Sequence, residues 1–257
     1  MEVKITFLGT GTSQGVPVIA CECTTCQSVD SRDKRLRTSL LVESATTTIV
    51  IDAGPDFRQQ MLNAHVSKLD AIVVTHEHKD HIGGMDDVRA FNFKSRDAVS
   101  IYAEERVQKA IKREYEYVFD EKQYPGIPKF RLIELADYPF IIGDIRIIPV
   151  RVFHGNLPIY GFRIGDLAYV TDTNYIPAES MEKLIGTKHF VIDALRKETH
   201  ISHFSLRQAI EISRQISPRK SYITHIGHQM GLYEEVSKDL PADVVLAYDG
   251  LTFNCNS

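Results

Sequence analysis

Thr75-His76-Glu77-His78-Lys79-Asp80-His81 follows directly on the apolar run Ala71–Val74. Four side chains able to ligate a metal fall within six residues, at the end of what reads as a buried strand over Ala71–Thr75. A packed core does not gather imidazoles and a carboxylate there unless each has a partner, because an unpaired polar group stripped of water is costly. A solvated loop that is histidine-rich by chance accounts for neither the spacing nor the strand in front of it. The string points to a metal site built on the loop that leaves a strand.

Working outward, short β-branched runs recur on both sides. Val3–Leu8, Ser39–Val42 and Thr48–Asp52 precede it; Ile145–Phe153, Tyr160–Ile164, Ala168–Thr171, Phe190–Ile192, Tyr222–Thr224 and Val244–Ala247 follow. Helical patterns lie between them, at Asp56–His65, Asp86–Phe93, Glu104–Tyr115, Glu179–Ile185, Leu206–Ile216 and Glu234–Leu240. Ser205 with Gln208 makes a capping box for the fifth of these. Strands paired like hairpins early and again in the middle, with helices among them, suit an α/β architecture of two mixed sheets packed face to face. A single doubly wound parallel sheet suits the pattern less well. Asp120–Lys129, with two prolines and a glycine, reads as an exposed insertion. No linker marks a boundary, so residues 1–257 are expected to form one domain.

The chain is 43% hydrophobic and 25% charged, as a soluble protein with a well-buried core would be. A formal charge of -4 argues against a general nucleic-acid surface, although Arg32–Arg37 gathers four basic residues. No apolar run approaches the roughly 20 residues of a membrane helix. The start, MEVKITFLGTG, reads directly as strand and turn, so the cytoplasm is the expected compartment and no membrane partner is expected. Gly9, Gly11 and Gly15 follow a strand, but Gln14 stands where a dinucleotide fingerprint has its third glycine. Cys21, Cys23 and Cys26 lie too close together to staple distant elements, and in a reducing compartment such a cluster suggests a metal.

His76-x-His78-x-Asp80-His81 closely resembles the signature of the metallo-β-lactamase superfamily. The resemblance implies that superfamily's αββα sandwich and further ligands at strand ends. His154 before Gly155, Asp172 after Ala168–Thr171, and His225 after Tyr222–Thr224 match in order. On that reading His76, His78 and His154 hold one divalent ion, Asp80, His81 and His225 hold a second, and Asp172 is shared. Asp80 is counted with the catalytic residues as well. Zn or Mn suits such a donor set, and two ions about 3.5–4 Å apart activate a shared hydroxide and clamp both oxygens of a displacement. Asp52, in Ile51-Asp52-Ala53-Gly54, matches the family's first motif, where it orients the metal loop through hydrogen bonds.

Within the superfamily, the subgroup of the phosphoribosyl cyclic phosphate phosphodiesterase pairs an N-terminal Cys-x-Cys-x-x-Cys with a histidine just after the last ligand. Cys21, Cys23, Cys26 and His228 match that arrangement, which implies a closed, structural zinc. Buried or redox-active thiols are the rival reading. Ser202-His203-Phe204-Ser205-Leu206-Arg207-Gln208-Ala209 resembles a motif of phosphodiesterase branches in which a histidine before a helix acts on the scissile phosphate. His203 is therefore expected to protonate the leaving alkoxide, with His200 as its competitor. The function implied is hydrolysis of a small phosphodiester, linear or cyclic, with no stable nucleic-acid partner expected and a homodimer left open. The alternatives are a tRNA 3′-processing endoribonuclease, a thioesterase or lactonase using the same hydroxide, a quinone-cofactor biosynthesis protein, and a non-catalytic metal-binding module.

Overall fold

The computed structural model describes residues 1–120 and 124–257. Among them the strands are β1 (Glu2–Gly9), β2 (Ser39–Glu43), β3 (Thr48–Ile51), β4 (Ala71–Val73), β5 (Val99–Ala103), β6 (Phe130–Glu134), β7 (Phe140–Ile142), β8 (Ile145–His154), β9 (Leu157–Ile164), β10 (Leu167–Val170), β11 (His189–Asp193), β12 (Lys220–Thr224), β13 (Val244–Leu246) and β14 (Thr252–Asn256). They form two seven-stranded sheets, in the orders β14-β1-β2-β3-β4-β5-β6 and β13-β12-β11-β10-β9-β8-β7. Each sheet is antiparallel through one half and parallel through the other. In the first, pairing is parallel from β3 to β6; in the second, from β10 to β13. Parallel neighbours need crossover connections, and helices supply most of them. Phe57–Asn63 and Glu105–Glu114 cover the outer face of the first sheet; Ala178–Leu184, Leu206–Ile216 and Tyr233–Lys238 cover that of the second. This is the expected αββα sandwich of the metallo-β-lactamase fold.

The period-2 alternation of a strand explains why these runs are apolar on both faces. Ile49 and Ile51 enter the core between the sheets, where Ile147, Phe162 and Tyr169 meet them, while Val50 packs outward with Phe57 and Met61. Ala71 and Val73 repeat this against Ile72 on β4. The loop starting at Thr75 thus leaves a strand buried on both sides.

The elements passed over in the sequence are those with weak patterns. β6 and β14 are edge strands with largely polar or half-exposed residues, and β7 is three residues long. β5 (VSIYA) carries the alternation, but over five residues only. The expected helix Asp86–Phe93 begins as a 3-10 turn, Met85–Val88, and continues as Arg89–Ser95. Of the expected insertion Asp120–Lys129, residues 121–123 lie outside the described residues; Tyr124 and Pro125 are exposed, but Ile127 and Pro128 are buried. No helix among the described residues is long and apolar enough to cross a membrane.

Candidate metal centre

Strand ends of both sheets converge on one place. The His76–His81 loop leaves β4, His154 ends β8, Asp172 follows β10 and His225 follows β12. Asp52, Asp172 and His225 all adopt left-handed backbone, with φ of 64°, 55° and 55°. That conformation is uncommon outside glycine and costs on the order of 1–3 kcal/mol where it is strained, so it persists only when the surroundings fix it. At these positions it turns the chain sharply at the strand's end. Gly54 completes the first motif for a packing reason: a Cβ there would stand 1.9 Å from the Asp80 carbonyl oxygen. Only glycine lets this turn touch the metal loop.

Asp80, His81, Asp172 and His225 bring one ligand atom each to within 4.8 Å of the others. His81 Nε2 lies 3.3 Å from both the Asp80 and Asp172 carboxylates, and His225 Nε2 lies 3.0 Å from Asp172. Behind them Asp52, fully buried, accepts hydrogen bonds from the Thr75 amide and hydroxyl, both at 2.8 Å, and stands 2.7 Å from His81 Nδ1. Burial would raise the Asp172 and Asp80 carboxyls, but the facing imidazoles outweigh it and hold both well below the usual range. Burial opposes charge on His225 too, yet the Asp172 carboxylate lifts it to about 10. The cluster demands positive charge.

His76, His78 and His154 face each other ring to ring, with centroids 4.6 Å, 5.1 Å and 5.8 Å apart, more loosely than the carboxylate group. His76 Nδ1 meets the Thr75 hydroxyl at 3.0 Å, and His154 Nδ1 donates to the Ser202 carbonyl at 2.8 Å, which leaves each Nε2 free for another partner. The buried Nε2 atoms of His76, His81 and His225 have no hydrogen-bond partner among the described residues. Unpaired imidazole nitrogens at such depth, beside carboxylates, are what a divalent ion would satisfy. The residues fit the group.

His203 falls at the junction of the two halves. Its ring centroid is 4.6 Å from that of His154 and 4.8 Å from that of His225, and it comes within ligating reach of His154 and Asp172. Asp193, which the sequence reading missed, is fully buried at the end of β11; one oxygen accepts from the Thr173 amide at 2.9 Å and the other lies 3.5 Å from His203 Nδ1. Its signal was a carboxylate closing the apolar run Phe190–Ile192, as Asp52 closes Ile49–Ile51. His200 stands one ring further out, 5.2 Å from His203, with Nδ1 facing the Ser202 amide and hydroxyl.

The family model described as a β-lactamase superfamily domain matches residues 47–226. The chain belongs to the metallo-β-lactamase superfamily. A solved diphosphatase of the PhnP family is 38% identical to it, covers 99% of this chain and 98% of its own, and superposes with a TM-score of 0.93. An octanoyltransferase of Porphyromonas gingivalis is 42% identical over 252 residues, 97% of this chain but 51% of its own length; the chain spans about half of that relative. The short form of human tRNase Z superposes with a TM-score of 0.71 over 97% of this chain and 98% of its own, at 16% identity, which shows the shared fold alone. The chain is thus a PhnP-like member of the metallo-β-lactamase superfamily, a fold that implies divalent metal ions at the site.

In this superfamily member a second cluster stands apart from the first. His228 Nδ1 lies 3.2, 3.4 and 3.5 Å from the sulfurs of Cys21, Cys23 and Cys26. Cys23 caps the short helix Thr24–Gln27, and the Cys26 amide draws its thiol down to about 6, whereas burial pushes the Cys26 thiol up to about 11. Three sulfurs and one imidazole converging this closely have the donor set of a closed zinc site. Backbone bonds stitch the same two loops: Thr12 N donates to the Ile226 carbonyl at 3.1 Å, and Ile226 N to that of Thr10 at 2.8 Å. The basic run beside them is committed internally. Arg35 is buried and donates to Thr10 and Ala247, while Arg32 pairs with Asp30, Arg37 with Asp56, and Lys34 with the Cys26 carbonyl.

Proposed function

We propose that the protein is a phosphodiesterase acting on a small linear or cyclic phosphodiester, with two divalent ions in the strand-end cluster. His76, His78 and His154 would hold one ion, Asp80, His81 and His225 the other, and Asp172 both; Cys21, Cys23, Cys26 and His228 would hold a structural zinc. When bound, ions so placed lower the pKa of water towards neutrality and offset charge on phosphoryl oxygens.

The observation that carries the reading is His203, stacked on His225, tilted against His154 and backed by a buried carboxylate. With Nδ1 turned to Asp193, Nε2 is the nitrogen left to give a proton to a leaving alkoxide. Carbonyl chemistry has less use for such a donor when the leaving group is a thiolate. The likeness to a diphosphatase at 38% identity along both whole chains supports phosphorus over carbon. The octanoyltransferase named among the relatives is about twice as long as the match, so its acyl chemistry is the rival to be tested rather than carried over.

Metal-loaded protein is expected to hydrolyse bis-p-nitrophenyl phosphate faster than p-nitrophenyl octanoate or an octanoyl thioester; the reverse order would overturn the proposal. His203→Ala should lower turnover of a phosphodiester with a poor alkoxide leaving group by about 10²-fold, the low end for general acids. The loss should be smaller for p-nitrophenolate, which needs little protonation. Because His203 is within ligating reach of His154 and Asp172, metal content decides its role. Unchanged metal content fits a proton donor, and loss of an ion would make it a ligand.

A further inference from the structure

Glu77 stands between two proposed ligands; among the described residues it joins none of the three groups of converging metal-binding atoms, and neither do His76 and His78. Its carboxylate turns away and pairs with Arg106 Nη1. Arg106, at the start of the helix Glu105–Glu114, uses its other nitrogen twice: it donates to the Pro158 carbonyl at 2.7 Å and reaches Glu104 at 3.4 Å. Pro158 is paired across the β8–β9 hairpin with Phe153, the residue before His154. Glu104 also takes Arg151 of β8, at 2.9 Å, and Arg151 lies over the Tyr160 ring, 3.7 Å from its centroid. Tyr160 in turn donates its amide to the Thr75 carbonyl at 3.2 Å.

Charges of alternating sign, Glu77, Arg106, Glu104 and Arg151, thus run from the metal loop to the strand that ends in His154. An isolated exposed ion pair contributes little. This one differs in that one planar guanidinium joins two chain segments, each carrying ligands, with its donors in fixed directions. The carboxylate half of the site has Asp52 and Thr75 to hold it, whereas the three-histidine half is looser and its His78 is exposed.

We propose that Arg106 is a positioning residue for the three-histidine half. Its guanidinium clamps Glu77 to the β8–β9 hairpin and so presets the spacing of His76, His78 and His154. This inference rests on the two-ion reading of the site. Outer-shell partners of metal ligands typically change affinity by about 10–100-fold, and the effect here is confined to one of the two ions.

The test is titration of the metal-stripped histidine site with Mn²⁺, which a thiolate cluster takes poorly, followed by calorimetry and electron paramagnetic resonance. His154→Ala and His225→Ala identify which binding step belongs to which half. Arg106→Gln and Glu77→Gln should each weaken the His154-dependent step by about tenfold or more and leave the other step unchanged. The double substitution should be no worse than either alone. Arg106→Lys, which keeps the charge but cannot span both partners, should fall between and guards against a variant that fails to fold. Two ions in the parent protein with equal weakening of both steps, or none, would overturn the clamp alone. A parent protein that takes up only one Mn²⁺ would overturn the two-ion reading and the clamp with it.

Discussion

Replacing Asp52 by Asn tests whether the carboxylate behind the metal loop does what its geometry implies. The change keeps the size of the side chain and the left-handed backbone at φ 64°, which Asn tolerates. The amide oxygen can still accept from the Thr75 amide, now at 2.8 Å. Its NH2 group then faces the Thr75 hydroxyl and His81 Nδ1, at 2.8 and 2.7 Å in the native site. The hydroxyl can rotate to accept. His81 has two ways out, and both are costly. Keeping its proton on Nδ1 leaves opposed donors in a fully buried site, at about 1–3 kcal/mol. Moving that proton to Nε2 blocks the atom that lies 3.3 Å from Asp80 and Asp172, the one needed to bind metal. Where the proton stays on Nδ1, metal-free Asp52→Asn should therefore unfold with a loss of about 1–3 kcal/mol, some 2–4 °C in Tm per kcal/mol at this size. Metal affinity should fall by about 10–100-fold. Denaturant unfolding and metal titration on the same preparation read both. If both matched the parent protein, the Asp52–His81 contact would have no part in setting the site.

Asp172→Ala should lose two-ion occupancy by elemental analysis and with it turnover, since Asp172 faces His81 and His225 at 3.3 and 3.0 Å; two retained ions with full activity would sink the shared-ligand assignment. Cys23→Ser should remove one zinc and lower thermal stability while leaving the histidine-site ions in place, and unchanged zinc and Tm would require another role for the thiols. Burial pushes the Asp249 carboxyl up to about 6 from its usual 3.8, so the folded state binds its proton before the unfolded chain does. Its contribution to stability is full below about pH 4 and is lost as pH rises through 6. Asp249→Asn should flatten the stability profile across that window, and an unchanged slope would show that the group titrates normally.

The local part of the site was legible in the sequence. His76 to His81 sit in one string, and the remaining candidate ligands each close an apolar run, so period-2 patterning finds the strand and its last residue marks the loop. The capping box of Ser205 and Gln208 was readable for the same reason and is present in both directions. What stayed hidden depends on contacts between distant segments. Asp193 looks like any strand-ending acid until the fold sets it beside His203. Arg106 looks like an ordinary helix-surface cation until Glu77 and Pro158 arrive from 29 and 52 residues away. The Arg32–Arg37 run gathers four basic residues, but a local count of charges cannot foresee that Arg35 would be buried against Thr10 and Ala247. β14 was missed because an edge strand needs only one apolar face, and TFNCN offers little of even that.

The way the candidate ligands are shared between the two sheets has a consequence for stability. Asp52 and the His76–His81 loop follow the parallel strands β3 and β4 of the first sheet, whereas Asp172, Asp193 and His225 lie at the ends of β10, β11 and β12 in the second. Carboxyl ends of parallel strands are where open α/β sheets gather their ligands, and here two such edges face each other. The grouping of Asp80 and His81 with Asp172 and His225 therefore crosses from one sheet to the other. An ion held there ties the sheets together at the rim of a core otherwise joined by apolar contact between Ile49, Ile51, Phe162 and Tyr169. Binding to the folded state alone stabilises by about 2.7 kcal/mol at a hundredfold excess over Kd, so loading the site should raise the unfolding temperature of the whole sandwich rather than of one loop. The cysteine cluster joins the loop after β1 to the loop after β12, again one sheet to the other. Both candidate metal clusters join the two sheets, and neither sits inside one of them.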